Sequence, residues 1–524
     1  MTVSRRVFAP LYTRFQGTDA WRQNLNLTAM AAEKIRSCLG PNGAYKMVVY
    51  NRGPEKVVRI TKDAVKVLEE LSIQYPALRV ITEAAKMQRE EIGDGVTVFT
   101  IFTSALLREA NKLVSKKVHP NIVLDGYLKA KQKALECIDQ LSKNLDEFEK
   151  NELLESVDCG RGLLTNELRR MLEEAAEIAT TNKKIEKDKI HVIKKPGADT
   201  TETTLVKGIV IKKEKCHKNM PDQVEKPRIA VISGGFGSNR VEVKMRGTGP
   251  FNMKFEIDTP ENLNGCQEVD KNMKTSAVET LSRYGVNVLF SQQPIDQCVK
   301  SKLVEQGILA FEGVNRDDCV KISRATNANV ICNPSDLTEK DVGTADGLET
   351  DKIGLEKTVT VQRCQGATFL LRGATRQALE ELELLVHNST LALNLAQKYG
   401  NRVVPGGGAV EMYIARELTA FSKKFSGREQ LAIDAFADAL LDIPKCLAYN
   451  NGFDSESVMA KLRSLHARGF STCGVGLNGC SENVCVELAV TKRAMINRAY
   501  EVVYLMLRVN EQLIHKDMPK FHKK

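Results

Sequence analysis

The sequence predicts a multidomain protein of α plus α/β class: a helical domain formed by both chain ends, with an α/β domain inserted between them. Three observations predict this. The chain has 524 residues, more than one hydrophobic core supports, so two to four domains are expected. Residues 20–145 and 400–524 carry mostly helical patterning. Between them, short β-branched runs alternate with amphipathic ones at the spacing of strand–helix–strand units, which implies a parallel sheet.

The elements follow in chain order. The run 57–60, ahead of Thr61-Lys62-Asp63, reads as a hairpin strand. Leu124, Leu128, Leu135 and Ile138 fall on one helix face, and 168–178 is an acidic amphipathic helix. Residues 228–233 (RIAVIS) form a buried-strand run ending at Gly234-Gly235. A helix starts at Asp258-Thr259-Pro260-Glu261, with Thr259 as N-cap and Pro260 in the first turn, and ends at Tyr284-Gly285. Strands are expected at 286–292, 308–313 and 330–332, alternating with helices at 297–306, capped by Gly307, and 316–325. A strand at 368–371 and a helix from Arg376 follow. In the last part, Leu431, Ala435, Leu440 and Ile443 fill one apolar segment expected to stop at Pro444.

Composition narrows the function classes. Hydrophobic residues at 42% and charged residues at 27% exclude wholesale disorder. One Trp and 6% aromatics argue against a recognition surface built on aromatic anchors. The net charge of +10 is a mild bias over this length. Its densest stretch, Lys183 to Lys195, is interleaved with Glu186 and Asp188 and reads as a solvated helix end or loop, so no nucleic-acid partner is expected. Thirteen cysteines without a CxxC pair give no metal framework, and the odd count with no signal peptide favours a cytoplasmic location. No apolar run approaches 18 residues, so no membrane span is expected.

Four loops carry candidate chemistry. Leu39-Gly40-Pro41-Asn42-Gly43 follows a helical run, where glycine lets a backbone approach a phosphate. Gly93-Asp94-Gly95-Val96-Thr97 opens a helix, whose first N–H groups and positive dipole end suit an anion while Asp94 suits Mg²⁺. Pro405-Gly406-Gly407-Gly408 precedes another helix and lacks the Gly-Lys-Ser/Thr of a Walker loop. Thr61-Lys62-Asp63 places a carboxylate at a strand end, the alternative being a solvated turn Asp. Each loop alone is a weak signal; their order and spacing together are specific.

With LGPNG at 39–43, TKDA at 61–64, GDGVT at 93–97, LVKGIVI at 205–211, GVNVLFSQQPID at 285–296, LLRGAT at 370–375, VVPGGGAVE at 403–411 and REQLAIDAFADALLDIP at 428–444, the chain resembles a group II chaperonin over nearly its whole length. That family comprises the eukaryotic cytosolic chaperonin (TRiC/CCT) and the archaeal thermosome. Ala64, the run 98–107 and LRVNEQLI at 507–514 look most like the theta subunit, while FADALLDIPK is also similar to the zeta subunit. The resemblance implies an equatorial ATPase domain from 1–145 and 402–524, and an intermediate hinge domain from 146–205 and 356–401. It implies an apical substrate-binding domain at 206–355 with a helical lid protrusion. It also implies paralogous subunits in stacked eight-membered rings, ATP and Mg²⁺ as cofactors, and non-native polypeptides as substrates, actin and tubulin among them for a cytosolic complex.

Carried over by residue, the resemblance implies that Leu39, Gly40 and Pro41 line the nucleotide phosphates and that Asp94 holds Mg²⁺. Gly95, Val96 and Thr97 would bind phosphate, and Gly407 and Asn478 would approach the ribose or base. Asp63 matches an acid near the metal and attacking water, and Arg161 falls where the family often has a nucleotide-sensing Lys. Several positions depart from the pattern. Val96 and Val98 replace hydroxyl residues, Tyr45 a common Asp, and Asn478 an Asp near the nucleotide. Asn388, in His387-Asn388-Ser389, stands where the family has the Asp that orients or deprotonates water, and an amide cannot accept that proton. The expectation is a chaperone subunit that binds ATP and hydrolyses it weakly. The alternatives are an ATP-binding structural subunit with no hydrolysis and a stand-alone phosphotransferase.

Overall fold

The computed structural model describes residues 12–16, 18–52, 55–74, 78–145, 147–158, 162–181, 184–185, 189–235, 274–353, 356–362, 364, 366–482, 484–509 and 511–515. The N-terminal part carries helices α1 (Thr18–Arg36), α2 (Ala64–Gln74), α3 (Leu78–Ile92), α4 (Val96–Ser115), α5 (Pro120–Leu141), α6 (Glu147–Asp158) and α7 (Asn166–Ala179). The middle carries α8 (274–283), α9 (Gln297–Glu305) and α10 (Arg316–Thr326). The C-terminal part carries α11 (Arg376–Lys398), α12 (Ala409–Ser422), α13 (Glu429–Asn450), α14 (Ser455–Ala467) and α15 (Ala489–Arg508). The chain divides into two compact units, Met1–Arg169 with Thr375–Lys524, and Arg170–Ala374. The expected combination of a helical part from both ends and an α/β middle is what forms.

In the first unit, α4 is the central helix. It is apolar on most of its circumference, and Phe99, Ile101, Phe102 and Leu106 are fully buried among α1, α13 and α15. Its buried hydroxyls are satisfied within the helix, Thr100 Oγ1 donating to Val96 O at 3.0 Å and Thr103 Oγ1 to Phe99 O at 2.7 Å. Phe436 of α13 meets Phe102 and Tyr127 edge-on, with centroids 5.4 and 5.6 Å apart. The buried Tyr127 hydroxyl donates to Leu106 O at 3.0 Å, so the ring is buried without an orphaned donor.

Two expectations about these helices need correction. Leu128 and Leu431 are exposed, because the apolar stripes of α5 and α13 are narrower than the sequence pattern suggested. Nor does α13 stop at Pro444: it continues to Asn450. A mid-helix proline costs about 3 kcal/mol. Here Cys446, Leu447 and Ala448 beyond it are all buried, and that packing outweighs one lost hydrogen bond. The expected strand at 57–60 is the centre of Glu55–Thr61, which pairs antiparallel with Lys46–Arg52.

Among the described residues the second unit holds three larger sheets and one two-stranded pair, Thr180–Thr181 with Lys184–Ile185. The strands Leu309–Phe311, Val288–Ser291, Arg228–Ile232 and Val330–Ile331 lie in that order and run parallel, with Gly343–Thr344 antiparallel on Arg228–Ile232. Their residues are almost all buried, as the β-branched runs imply, and Phe290 stacks on its register partner Phe311 at 5.0 Å. A four-stranded antiparallel sheet joins Gln223–Glu225, Gly347–Ile353, Glu356–Gln362 and Gly208–Ile211. In the third, Ala367–Gly373 pairs with Ile190–Pro196 and Thr204–Val206. The helix start expected at 258–261 lies outside the described residues. Its end is as expected: Val286 N–H bonds back to Leu281 O at 3.0 Å across Gly285. The lysine-rich stretch is not wholly solvated. Ile190–Pro196 is a strand, and Lys189 and Lys195 are buried.

Candidate functional site

Three chain reversals in the first unit converge. The α1 helix ends in the turn Leu39-Gly40-Pro41, where Gly43 N–H bonds to Gly40 O at 3.1 Å and Ala44 N–H to Ser37 O at 2.7 Å. Two side chains from distant parts of the chain fasten this turn. Lys62 Nζ donates to Gly40 O at 2.8 Å, and Asn450 Nδ2 donates to Leu39 O at 2.8 Å and Arg36 O at 2.9 Å. Arg36 O, one of the carbonyls at the end of α1, and two carbonyls of the turn are thereby satisfied.

The second reversal joins α3 to α4. Gly95 is the N-cap of α4, with φ of 76° in the left-handed region, and no side chain caps the helix. Asp94 stands one residue before this N-cap and lines the cavity described below. A first helical turn without a side-chain cap presents its N–H groups at the positive end of the helix dipole.

The third reversal is Gly406-Gly407-Gly408, between the strand Arg402–Pro405 and α12. A Cβ at Gly408 would stand 2.9 Å from Pro444 Cβ, and one at Gly407 3.1 Å from Val475 O, so side chains are excluded by contact. Val475 N–H bonds to Gly407 O at 2.8 Å, which docks the hairpin Cys473–Gly476 and Gly479–Glu482 onto this loop.

Between these loops lies a cavity of about 590 Å³, inside the ~300–1,000 Å³ range of small-ligand sites. Leu39, Gly40 and Pro41 line it, as do Asp94, Gly95, Val96 and Thr97. Gly407, Asn478 and Asn388 complete the expected residues brought together there. Asn388, on α11, is 8% exposed, and its Oδ1 has no hydrogen-bond partner. A buried unpartnered acceptor costs free energy unless a ligand or water meets it.

Two expected residues are not among those lining the cavity. Asp63 is 7% exposed rather than solvated, its Oδ1 accepting from Val65 N–H at 3.0 Å and its Oδ2 paired with Arg89 at 2.8 Å. It therefore caps α2 and ties it to α3. Arg161 lies outside the described residues.

Sequence reasoning missed three contributors. Lys62 lines the cavity beside the residue singled out in its motif. Glu487 and Lys492 also line it. Lys492 Nζ lies 2.7 Å from Glu487 Oε2 and 2.8 Å from Glu411 Oε1 on α12. Burial works against the Lys492 charge, but the two carboxylates outweigh it and hold the ammonium above its ordinary range. Burial pushes the Glu487 carboxyl up; Lys492 pulls it back, and Glu411 and Asp94 push it further. Only the spacing Glu487…Lys492 after a Gly-rich loop offered a signal, and without the fold it is unreadable.

The arrangement fits a nucleotide with its metal. Glycines leave room for a polyanion against backbone N–H groups, and Asn388 offers an unused acceptor. Among the described residues no group of three or more His, Cys, Asp and Glu could hold a metal ion unaided. Mg²⁺ takes one or two carboxylates and completes its shell with phosphate and water, and Asp94 lines the cavity. Among the described residues no helix is long and apolar enough to cross a membrane.

Comparison with known proteins agrees with this geometry. The model of the TCP-1/cpn60 chaperonin family matches residues 32–517. A thermosome subunit of Methanopyrus kandleri is 34% identical, covering 97% of this chain and 94% of the relative. One from Methanothermococcus thermolithotrophicus is 35% identical over 95% of this chain and 92% of the relative. The thermosome subunit beta of Methanothermobacter thermautotrophicus is 33% identical over the same shares, 95% and 92%. With a match running through both compact units and every loop of the cavity, the chain belongs to the TCP-1/cpn60 chaperonin family, in its group II, thermosome-like branch.

Proposed function

We propose that this chain is an ATP-binding subunit of a double-ring chaperonin that encloses and folds non-native polypeptides, and that it hydrolyses ATP slowly. The observation that carries the nucleotide reading is the cavity itself, walled by three glycine-bearing loops and holding the unpartnered Asn388 Oδ1. In this reading Leu39, Gly40 and Pro41 lie along the phosphates, and the first-turn N–H groups of α4 with Thr97 bind them. Asp94 holds Mg²⁺, while Gly407 and Asn478 approach the ribose or base. Bound Mg²⁺ supplies neutralisation of phosphate charge.

Asn388 sets the rate. Its carbonyl can hold a water, but an amide cannot take that water's proton. Asp63, bound to Arg89, is the remaining acid proposed for the metal and water, and Arg161 the nucleotide-sensing cation. The domain division 1–145, 146–205, 206–355, 356–401 and 402–524 belongs to the same proposal. So do stacked eight-membered rings of paralogous subunits, a cytoplasmic location and substrates such as actin and tubulin. The thermosome relatives support the ring assembly, and the residues noted at Ala64, 98–107 and 507–514 support a theta-like subunit.

Asp94→Ala tests the site. Mg-ATP binding, measured by calorimetry, should be lost while far-UV circular dichroism stays unchanged. Unchanged affinity would remove Asp94, and the cavity with it, from the nucleotide site.

A further inference from the structure

The buried Lys492 is unused by the function proposed above, and its surroundings are unusual for a site meant for a polyanion. Lys492 is 3% exposed and Glu411 1%, and their ion pair at 2.8 Å is joined by Glu487 at 2.7 Å. Three elements meet at this triad: α12 directly after the triple glycine, the strand Val486–Leu488, and the first turn of α15. The lining of the cavity is acidic. Asp94, Glu152, Glu155, Glu482 and Glu487 face it, against Lys62 and Lys492. Lys62 is committed to Gly40 O, on the far loop. Glu411 is not among the lining residues, so it reaches the cavity only through its charge and through Lys492.

We propose that Lys492 is a positioning residue that offsets the Glu411 and Glu487 carboxylates beneath the glycine loop, and so sets how strongly the cavity prefers polyphosphate over uncharged nucleoside. This rests on the nucleotide reading above. The physical basis is simple. Two carboxylates on one buried lysine leave a net negative charge, and removing the lysine leaves two uncompensated ones. At an effective dielectric of ~20 and a distance of ~10 Å, one unit charge changes the affinity of a singly charged group about tenfold, and a polyphosphate more. An uncharged nucleoside is unaffected by the same change.

The readout is therefore a ratio, the affinity for Mg-ATP divided by that for adenosine, measured by calorimetry on the full-length protein. Lys492→Met should lower the ratio at least about tenfold. Glu411→Gln keeps the shape and the hydrogen bond to Lys492 and removes one negative charge, so it should raise the ratio by a similar factor. The opposite signs separate electrostatics from packing, since a purely structural role weakens both ligands equally. Should Lys492→Met fail to fold, Lys492→Met/Glu487→Gln removes one of the two stranded charges, and Glu411→Gln still gives the sign. A ratio unchanged in Glu411→Gln overturns the proposal even if wild-type binding is intact. A wild-type protein that binds no nucleotide overturns the site reading and this one together.

Discussion

Gly95→Ala asks whether the backbone at the start of α4 is as constrained as its geometry indicates. Gly95 has φ of 76°, and an alanine held there costs about 1–2 kcal/mol. Its Cβ would lie 2.9 Å from Thr491 Cγ2, a buried methyl in the first turn of α15. Overpacking of that kind costs roughly 1–3 kcal/mol. The two contributions give a destabilisation of about 2–5 kcal/mol. Urea unfolding followed by far-UV circular dichroism reports the change. Thr491→Ser deletes the offending methyl. In the Gly95→Ala/Thr491→Ser double variant the steric share should return and the backbone share of about 1–2 kcal/mol should remain. Mg-ATP affinity should fall at least roughly tenfold in the single variant, because displaced donors near a reacting group are costly. A loss below about 0.5 kcal/mol, the scale of ordinary surface substitutions, would refute the assigned constraint. So would full recovery in the double variant.

Two further outcomes are expected. His466 is buried on α14 with Nε2 2.8 Å from Cys473 O, and burial lowers its pKa, outweighing that hydrogen bond. The unfolded chain then binds the proton more readily, so this contribution to stability is intact above the ordinary His value of about 6.5 and is lost as pH falls below it. The urea midpoint should drop between pH 7.5 and 5.5 and drop less in His466→Gln; equal drops would contradict it. The assembled protein should have the native mass of a large ring particle, and a stable species near the chain mass of 58.2 kDa would return the stand-alone phosphotransferase to favour.

Local patterning carried much of this architecture. The alternation in 228–332 and the helical ends were readable because strands, caps and apolar periods are short-range features. The loops at 39–43, 93–97 and 405–408 were readable because glycine and proline punctuate locally. What stayed hidden depends on contacts across the sequence. Asn450 fastens Leu39, 411 residues away, and Lys492 pairs with Glu411, 81 residues away. No local signal marks such partners. Pro444 misled for the opposite reason: a strong local rule was overridden by burial on both sides of it. Asp63 shows both effects, since its place at the strand end was legible while the Arg89 that buries its charge was not.

In the proposed function the cavity holds ATP beside an amide where hydrolysis wants a carboxylate. Single-turnover hydrolysis in the assembled particle, with ADP formation assigned to this chain, tests it most directly. The wild-type chain should retain bound ATP and turn it over slowly. Asn388→Asp should accelerate the step by about 10²–10⁴-fold, the usual contribution of a positioned acid–base group. A wild-type chain that already hydrolyses as fast as the Asn388→Asp variant would show that position 388 does not govern the reaction.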